Sequence, residues 1–300
     1  RVLRLDAAAR LGAYAGDVLV LRQVPAAKAL CAAFEGIKRR FTASQGAGRA
    51  PISFDCDAGE TSFSDREAFC QAFETDEGVR ALFLQILTDA GAGGSGHQQQ
   101  QQQQPGDDLD VTCWDRPRLR VQQSGGGVDD VSNTDQFGEG KFSSTLPAHR
   151  DTWASNIYQQ LNWWLPLSQI DAGRTLCFYP TYFDSAVANT SGEWSFSDLK
   201  QSRRDGRPYP QMPALLDPCQ ADAKADSGED STSGAATASD SRAAGAAVSA
   251  EGLRSAARAL VVDPGDVVIF SGQHLHASVV NVTGRTRYSC EFRSVHLGDY

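Results

Sequence analysis

Hydrophobic residues recur every three or four positions in the first third of the chain, which predicts amphipathic helices. Leu30, Phe34 and Ile37 follow this spacing after a proline, which suits the first turn of a helix. Thr75 is a candidate cap for the last of these helices, because threonine oxygens accept hydrogen bonds from free backbone amides. The predicted helices are Pro25–Phe41, Ser64–Phe73 and Asp76–Asp89.

Beyond residue 109 the apolar positions alternate with a period of two, which predicts β-strands. Because helices come early and strands come late, we expect a β core with helices packed outside it. The predicted fold class is therefore mainly β with flanking helices (α+β). The predicted strands are Asp17–Arg22, Asp110–Trp114, Arg118–Gln122, Tyr158–Leu167, Arg174–Tyr179, Ala259–Val262, Asp266–Ser271, His276–Asn281 and Thr286–Val295.

Two low-complexity stretches interrupt this pattern. Residues 91–108 contain seven consecutive glutamines, and residues 219–252 are almost entirely small or polar. Such segments bury too little apolar surface to offset the entropy of ordering them, so both are interpreted as insertions in surface loops. We therefore expect a single domain over 1–300, with a helical flank at 1–90 and a core at 109–300.

The composition is that of a globular protein. Of the 300 residues 41% are hydrophobic and 22% are charged, and the net charge is −9. An acidic chain argues against a general nucleic-acid or anionic-membrane surface, and without an 18-residue apolar run we expect no membrane span. The seven cysteines are scattered and form no C-x-x-C pair, which favours reduced thiols and an intracellular compartment. Because the chain starts at Arg1, we expect it to be a segment of a longer product.

A possible metal site is indicated by His149 and Asp151. In an extended segment, residues two apart point to the same face, so one imidazole and one carboxylate converge. A third ligand, His276 or His274, would complete the two-histidine, one-carboxylate set of non-haem Fe(II) oxygenases. The short H-x-D motif alone is weak, and its simplest alternative is a structural polar pair.

A second group of residues strengthens the metal hypothesis. Arg287 follows His276 by eleven positions, and alternation places Arg287 and Ser289 on one face of the same strand. A guanidinium offers two parallel donors to a carboxylate, and a neighbouring hydroxyl adds a third. We call Arg287 and Ser289 the clamp. The metal ligands and the clamp together suit an acid that chelates the metal at one end and binds arginine at the other.

The sequence resembles the Fe(II)/2-oxoglutarate-dependent dioxygenases, and within them the phytanoyl-CoA dioxygenase-like branch. The resemblance covers about residues 109–295, apart from the insertion. It rests on the segments LPAHRDTW, QQLNWWLPL, PGDVVIFSGQHLHASVVN and GRTRYSCEF. It implies a double-stranded β-helix, or jelly-roll, core.

The resemblance also implies roles for particular residues. His149, Asp151 and His276 would hold Fe(II), since His274 does not fit the family's offsets. The cosubstrate 2-oxoglutarate would bind at the residues Arg287, Ser278, Ser289 and Trp164. The reaction would consume O2, act on a small molecule and release succinate and CO2. Because related halogenases carry a small residue where this chain has Asp151, the resemblance favours hydroxylation.

Two other readings stay open: a cupin-like metal enzyme that does not use 2-oxoglutarate, and a non-catalytic jelly-roll binding protein. The clamp argues against the first and the intact ligand set against the second. The long stretch from Phe183 to Leu216, which includes Trp194, Arg204 and Tyr209, is either a lid over the pocket or a solvated loop.

Overall fold

The computed structural model describes residues 5–43, 63–92, 112–124, 146–205, 210, 212–216 and 247–299. The glutamine tract and most of the second insertion lie outside these ranges. The described helices are α1 (Ala7–Tyr14), α2 (Pro25–Ala43), α3 (Phe63–Thr75), α4 (Glu77–Asp89), α5 (Thr152–Ser155), α6 (Phe196–Asp205) and α7 (Ala250–Ala256). None of them is both long enough and apolar enough to cross a membrane.

A large antiparallel sheet contains six of the described strands. They are β1 (Leu19–Leu21), β2 (Thr112–Trp114), β3 (Arg118–Gln122), β4 (Gln160–Pro166), β7 (Val267–Ser271) and β9 (Arg287–His296). Their order is β1-β7-β4-β9-β2, and β3 also pairs with β9. The ten-residue β9 therefore joins β4 on one side to both β2 and β3 on the other, which brings charged residues of β3 and β9 together.

A small antiparallel sheet holds the other three strands, β5 (Leu176–Phe178), β6 (Arg258–Leu260) and β8 (His276–Ser278), in the order β6-β5-β8. Leu176 and Phe178 pack with Trp164, Val268 and Phe270 of the large sheet in one buried cluster. We call the face of the large sheet that carries Trp164 its inner face. The architecture is thus mixed, with helices and two antiparallel sheets.

The outer face of the large sheet packs against the N-terminal helices. Phe34 of α2 lies 5.1 Å from Tyr288 of β9 between ring centroids, and Phe83 of α4 meets Phe292 edge to face at 5.2 Å. These contacts belong to the larger of the two apolar clusters, which α2, α3 and α4 share with the sheet. Burying this outer face leaves the inner face for the polar residues considered below.

Most predicted elements are present, helices α1, α5 and α6 were not predicted, and two further details differ. Asp76, not Thr75, caps α4, because its carboxylate accepts the backbone N–H of Val79 at 3.0 Å. Helix α7 begins at Ala250, inside the segment that we interpreted as an insertion. Its cap is Ser249, whose hydroxyl accepts the N–H of Gly252.

Candidate metal centre

Backbone hydrogen bonds bring the two predicted histidine ligands together. The N–H of His149 donates to the carbonyl of His276 at 2.9 Å, and the N–H of His276 donates back at 3.0 Å. This is an isolated antiparallel bridge between β8 and the segment before α5. The imidazole rings therefore lie side by side, with centroids 4.4 Å apart.

Both imidazoles are held in the tautomer that suits metal binding. Nδ1 of His149 lies 2.8 Å from the carbonyl oxygen of Pro147, and Nδ1 of His276 lies 3.0 Å from that of His274. A carbonyl oxygen only accepts, so each Nδ1 carries the proton. Each Nε2 points the other way and lies 4.0 Å from a carboxylate oxygen of Asp151.

The three predicted ligands converge in one place. Ligand atoms of His149, Asp151 and His276 all lie within 4.8 Å of one another. Asp151 comes directly before the short helix α5, and its backbone is already helical. Two imidazoles and one carboxylate form a donor set that suits non-haem iron.

His274, the alternative ligand, is occupied elsewhere. Its Nδ1 lies 3.1 Å from the carbonyl oxygen of Ser271, and its Nε2 lies 3.0 Å from that of Gly16. Its ring also packs against Phe183 at a centroid distance of 4.7 Å. His274 thus ties the loop before β8 to the N-terminal segment, and the geometry favours His276 as the ligand.

Polar groups on the inner face surround the carboxylate of Asp151. Nδ2 of Asn162 donates to Oδ2 at 2.5 Å, and Nη2 of Arg293 donates to Oδ1 at 3.2 Å. Burial alone raises the pKa of Asp151, but Arg293, the two histidines and Asn162 outweigh it and hold the pKa well below its usual range. The carboxylate is therefore ionised and oriented at neutral pH.

His276 is neutral at physiological pH. Its burial, reinforced by repulsion from His149, lowers its pKa to about 4. A metal ion therefore does not have to displace a proton from this ring at neutral pH.

Arg287 and Ser289 have unused hydrogen-bonding capacity. Arg287 is 3% exposed and donates to the carbonyl of Thr175 at 3.0 Å and to Oγ of Ser278 at 3.4 Å. Within the described part of the chain, its Nε and the hydroxyl of the fully buried Ser289 have no partner. Burial lowers the pKa of Arg287 to about 10, so the side chain stays cationic. Unsatisfied donors beside a buried cation fit a carboxylate ligand.

The two neighbouring tryptophans of β4 face opposite ways. Trp163 packs in the helix-side core, stacks on Phe292 at 5.0 Å and donates to Ser294. Trp164 lies on the inner face among apolar residues of both sheets. Of the two, Trp164 is therefore the one that shares the inner face with Asn162.

Sequence reasoning missed Glu291 and its partner. Nε of Arg120 donates to Oε1 of Glu291 at 2.8 Å, and Nη2 makes a second, shorter contact with the same oxygen. Alternation along β9 places Glu291 on the same face as Arg287, Ser289 and Arg293. That alternation was the available signal, but the match of β3 to β9 could not be read from the sequence.

The stretch after Phe183 packs against the H-x-D segment. The N–H of Leu215 donates to the carbonyl of Ala148 at 2.9 Å, and Nε1 of Trp194 donates to the carbonyl of Ala154 at 3.0 Å. Tyr209 lies outside the described residues. The described part of this stretch thus borders the ligand cluster.

Comparison with known proteins gives structural similarities alone, since no family model and no curated protein matches the sequence. EvdO2 from Micromonospora carbonacea var. aurantiaca, solved with 2-oxoglutarate, is 11% identical, with a TM-score of 0.44 over 99% of this chain and 93% of that one. SnoK, a non-heme alpha-ketoglutarate-dependent carbocyclase from nogalamycin biosynthesis, is 11% identical. Its TM-score is 0.46, and the match covers 97% of this chain and 84% of that one. EctD from S. alaskensis, solved with 2-oxoglutarate and 5-hydroxyectoine, is 13% identical. Its TM-score is 0.41, and the match covers 97% of this chain and 77% of that one.

All three descriptions mention 2-oxoglutarate, also called alpha-ketoglutarate, and none of them names the phytanoyl-CoA dioxygenase-like branch. Because every TM-score is below 0.5, the interpretation of the site rests on its own residues.

Proposed function

We propose that this chain is a non-haem Fe(II)- and 2-oxoglutarate-dependent oxygenase that acts on a small molecule. The observation that carries the proposal is the pairing of two features. One is a two-histidine, one-carboxylate cluster with both Nε2 atoms directed at Asp151. The other is a buried cation, Arg287, beside the unpartnered hydroxyl of Ser289. A metal-chelating dicarboxylate would satisfy both.

In this proposal each group has a defined task. His149, Asp151 and His276 would hold Fe(II), and Arg287 with Ser278 and Ser289 would bind the distal carboxylate of 2-oxoglutarate. Trp164 would border the cosubstrate. When bound, iron, 2-oxoglutarate and O2 would supply the oxidising chemistry, with release of succinate and CO2.

The proposal extends to fold and reaction type. The two antiparallel sheets, packed through Trp164 and Phe178, support a double-stranded β-helix core within one domain. The retained carboxylate of Asp151 favours hydroxylation over halogenation. Within these oxygenases, the sequence motifs resemble the phytanoyl-CoA dioxygenase-like branch.

A cupin-like metal enzyme without 2-oxoglutarate is the main alternative. Such an enzyme has no need of a buried guanidinium with an unused donor, and Arg287 has one. A non-catalytic binding protein has no need of two histidines fixed in the ligating tautomer.

Iron-dependent formation of succinate from 2-oxoglutarate, followed with and without a metabolite mixture, tests the function. We expect turnover with Fe(II), none after chelation, and none in His149→Ala. Arg287→Ala should raise the 2-oxoglutarate concentration for half-maximal rate by about tenfold or more, the scale of a lost charged hydrogen-bond pair. Exposed Arg285 provides a matched control, since Arg285→Ala removes the same charge outside the pocket. Unchanged turnover in His149→Ala would remove the metal assignment.

A further inference from the structure

A hydrogen-bond chain runs along β4 to the proposed metal ligand Asp151. Nε2 of Gln160 donates to Oδ1 of Asn162 at 2.9 Å, and Nδ2 of Asn162 donates to Oδ2 of Asp151 at 2.5 Å. Gln160 is 3% and Asn162 is 6% exposed. Gln160 and Asn162 are two residues apart on one strand, so their side chains both lie on the inner face. The hydrogen-bond chain is therefore a consequence of strand alternation.

The chain fixes the direction of an otherwise ambiguous amide. An asparagine amide can present either its oxygen or its NH2 group to a neighbour, and only the NH2 group can donate to a carboxylate. The carboxylate of Asp151 only accepts, so the NH2 group of Asn162 faces it, and the donor of Gln160 satisfies the oxygen of Asn162 and holds the amide in that direction. Gln160 thus acts on the carboxylate without touching it.

Gln160 is itself held by a close backbone contact. The N–H of Gly272 donates to the carbonyl of Gln160 at 2.9 Å. A Cβ added at Gly272 would lie 3.2 Å from Nε2 of Gln160 and 3.5 Å from Cβ of Asp151. Glycine at this position therefore leaves the space in which the amide chain and the ligand fit together.

We propose that Asn162 and Gln160 are positioning residues that set the orientation of Asp151 for metal binding. This inference rests on the proposed function, because it concerns the same metal site. Asn162 fixes the carboxylate, and Gln160 fixes Asn162. Hydrogen-bonded neighbours of ligands keep the donor atoms aligned before the ion arrives, and their loss commonly weakens metal binding.

Binding of Mn2+, followed by loss of the electron paramagnetic resonance signal of the free ion, tests this inference without turnover. Asn162→Leu and Gln160→Met preserve approximate side-chain size and remove the donors. We expect each to weaken Mn2+ binding by about tenfold or more, the usual scale for such neighbours. The Gln160 variant is the stricter test, since that side chain does not contact the carboxylate.

Leu165→Ala provides the control. Leu165 lies on the same strand, 1% exposed, in the helix-side core. Its truncation should lower the unfolding midpoint and leave Mn2+ affinity unchanged, which separates a stability effect from a positioning effect.

Folded Asn162→Leu and Gln160→Met proteins that bind Mn2+ as tightly as the parent would overturn the inference. If Asn162→Leu fails to fold, Gln160→Met decides by the same criterion. Failure of the unmodified chain to bind Mn2+ would instead reject the proposed function, so the two failures are distinguishable.

Discussion

Arg293 and Asp151 form an ion pair across the inner face of the large sheet, with Nη2 of Arg293 3.2 Å from Oδ1 of Asp151. The same guanidinium lies 3.8 Å from Asp115. One cation thus stands between a proposed metal ligand and a second carboxylate. A cation so placed repels a divalent ion bound at Asp151 and attracts an anion bound next to that ion.

Arg293→Gln should therefore bind Mn2+ more tightly and 2-oxoglutarate more weakly. Because 35% of the Arg293 side chain is exposed, solvent screening keeps each effect to about tenfold. Titration calorimetry with Mn2+, and then with 2-oxoglutarate, measures both. Asp115→Asn should shift Mn2+ affinity in the opposite direction, since it leaves the full charge of Arg293 against the metal. Weaker Mn2+ binding by Arg293→Gln would show that orientation outweighs repulsion there.

Ser289→Ala should separate stability from cosubstrate affinity. Removing a buried hydroxyl that has no described partner costs no hydrogen bond, so the free energy of unfolding should stay equal or rise by up to about 1 kcal/mol. Affinity for 2-oxoglutarate should fall by about fivefold to tenfold, because a donor to its carboxylate is lost. Urea unfolding and cosubstrate titration measure the two quantities.

Ser294→Ala is the matched control for that experiment. Its hydroxyl accepts from Nε1 of Trp163 on the outer face, so its loss should lower stability and leave 2-oxoglutarate affinity unchanged. If Ser289→Ala binds 2-oxoglutarate like the parent, the hydroxyl does not take part in the clamp.

Arg150, between the two ligands of the H-x-D motif, should control the segment after β5 and not the metal. Its Nη2 donates to the carbonyls of Tyr182 and, at 2.8 Å, of Ser185. Arg150→Gln should speed amide hydrogen exchange in residues 180–185 by about tenfold or more, because local opening then breaks fewer hydrogen bonds. Mn2+ affinity should stay within about twofold, since the ligand rings are held by backbone contacts. Exposed Arg204 supplies the control as Arg204→Gln, and unchanged exchange in the Arg150 variant would contradict the prediction.

Asp266 should stabilise the fold through its charge. This side chain accepts hydrogen bonds from Arg22, from the backbone and amide of Gln23, and from the N–H of Asp263. Burial alone raises the pKa of Asp266, but these donors outweigh it and lower the pKa. Asp266→Asn should cost about 2 kcal/mol of unfolding free energy at pH 7.

The stability that Asp266→Asn loses should depend on pH, because the pKa of Asp266 is lowered in the folded protein. A lowered carboxyl pKa contributes stability above the unfolded value of about 3.9, and the contribution disappears as pH falls through the folded value. Urea unfolding at pH 7, 5 and 3.5 should therefore show the parent and Asp266→Asn converging in acid. A gap that stays constant with pH would indicate a purely steric cost.

Sequence patterns predicted the local elements better than their assembly. Strand Arg118–Gln122 and the start of the helix at Pro25 agree with the structure, since both follow from alternation and from proline chemistry. The predicted cap of α4 was wrong by one residue, because Thr75 and Asp76 are both good capping residues. Adjacent equivalent residues cannot be ranked without the backbone dihedral angles.

The candidate site shows the same division. The spacing of His149 and Asp151 indicates two ligands, and the family resemblance favours His276 over His274 as the third. That Arg120 meets Glu291 depends on the pairing of β3 with β9. This contact links residues far apart in the chain, and hydrophobic periodicity carries no information about which strands become neighbours.

The backbone bridge between His149 and His276 also bears on how such a chain can change over evolutionary time. The spacing of the two imidazoles is set by hydrogen bonds between their own main chains and does not depend on the length of sequence that connects them. Loops between the two histidines can therefore lengthen or diverge while the ligand geometry is inherited unchanged. Selection for a new substrate could act on these connecting segments separately from the reaction itself.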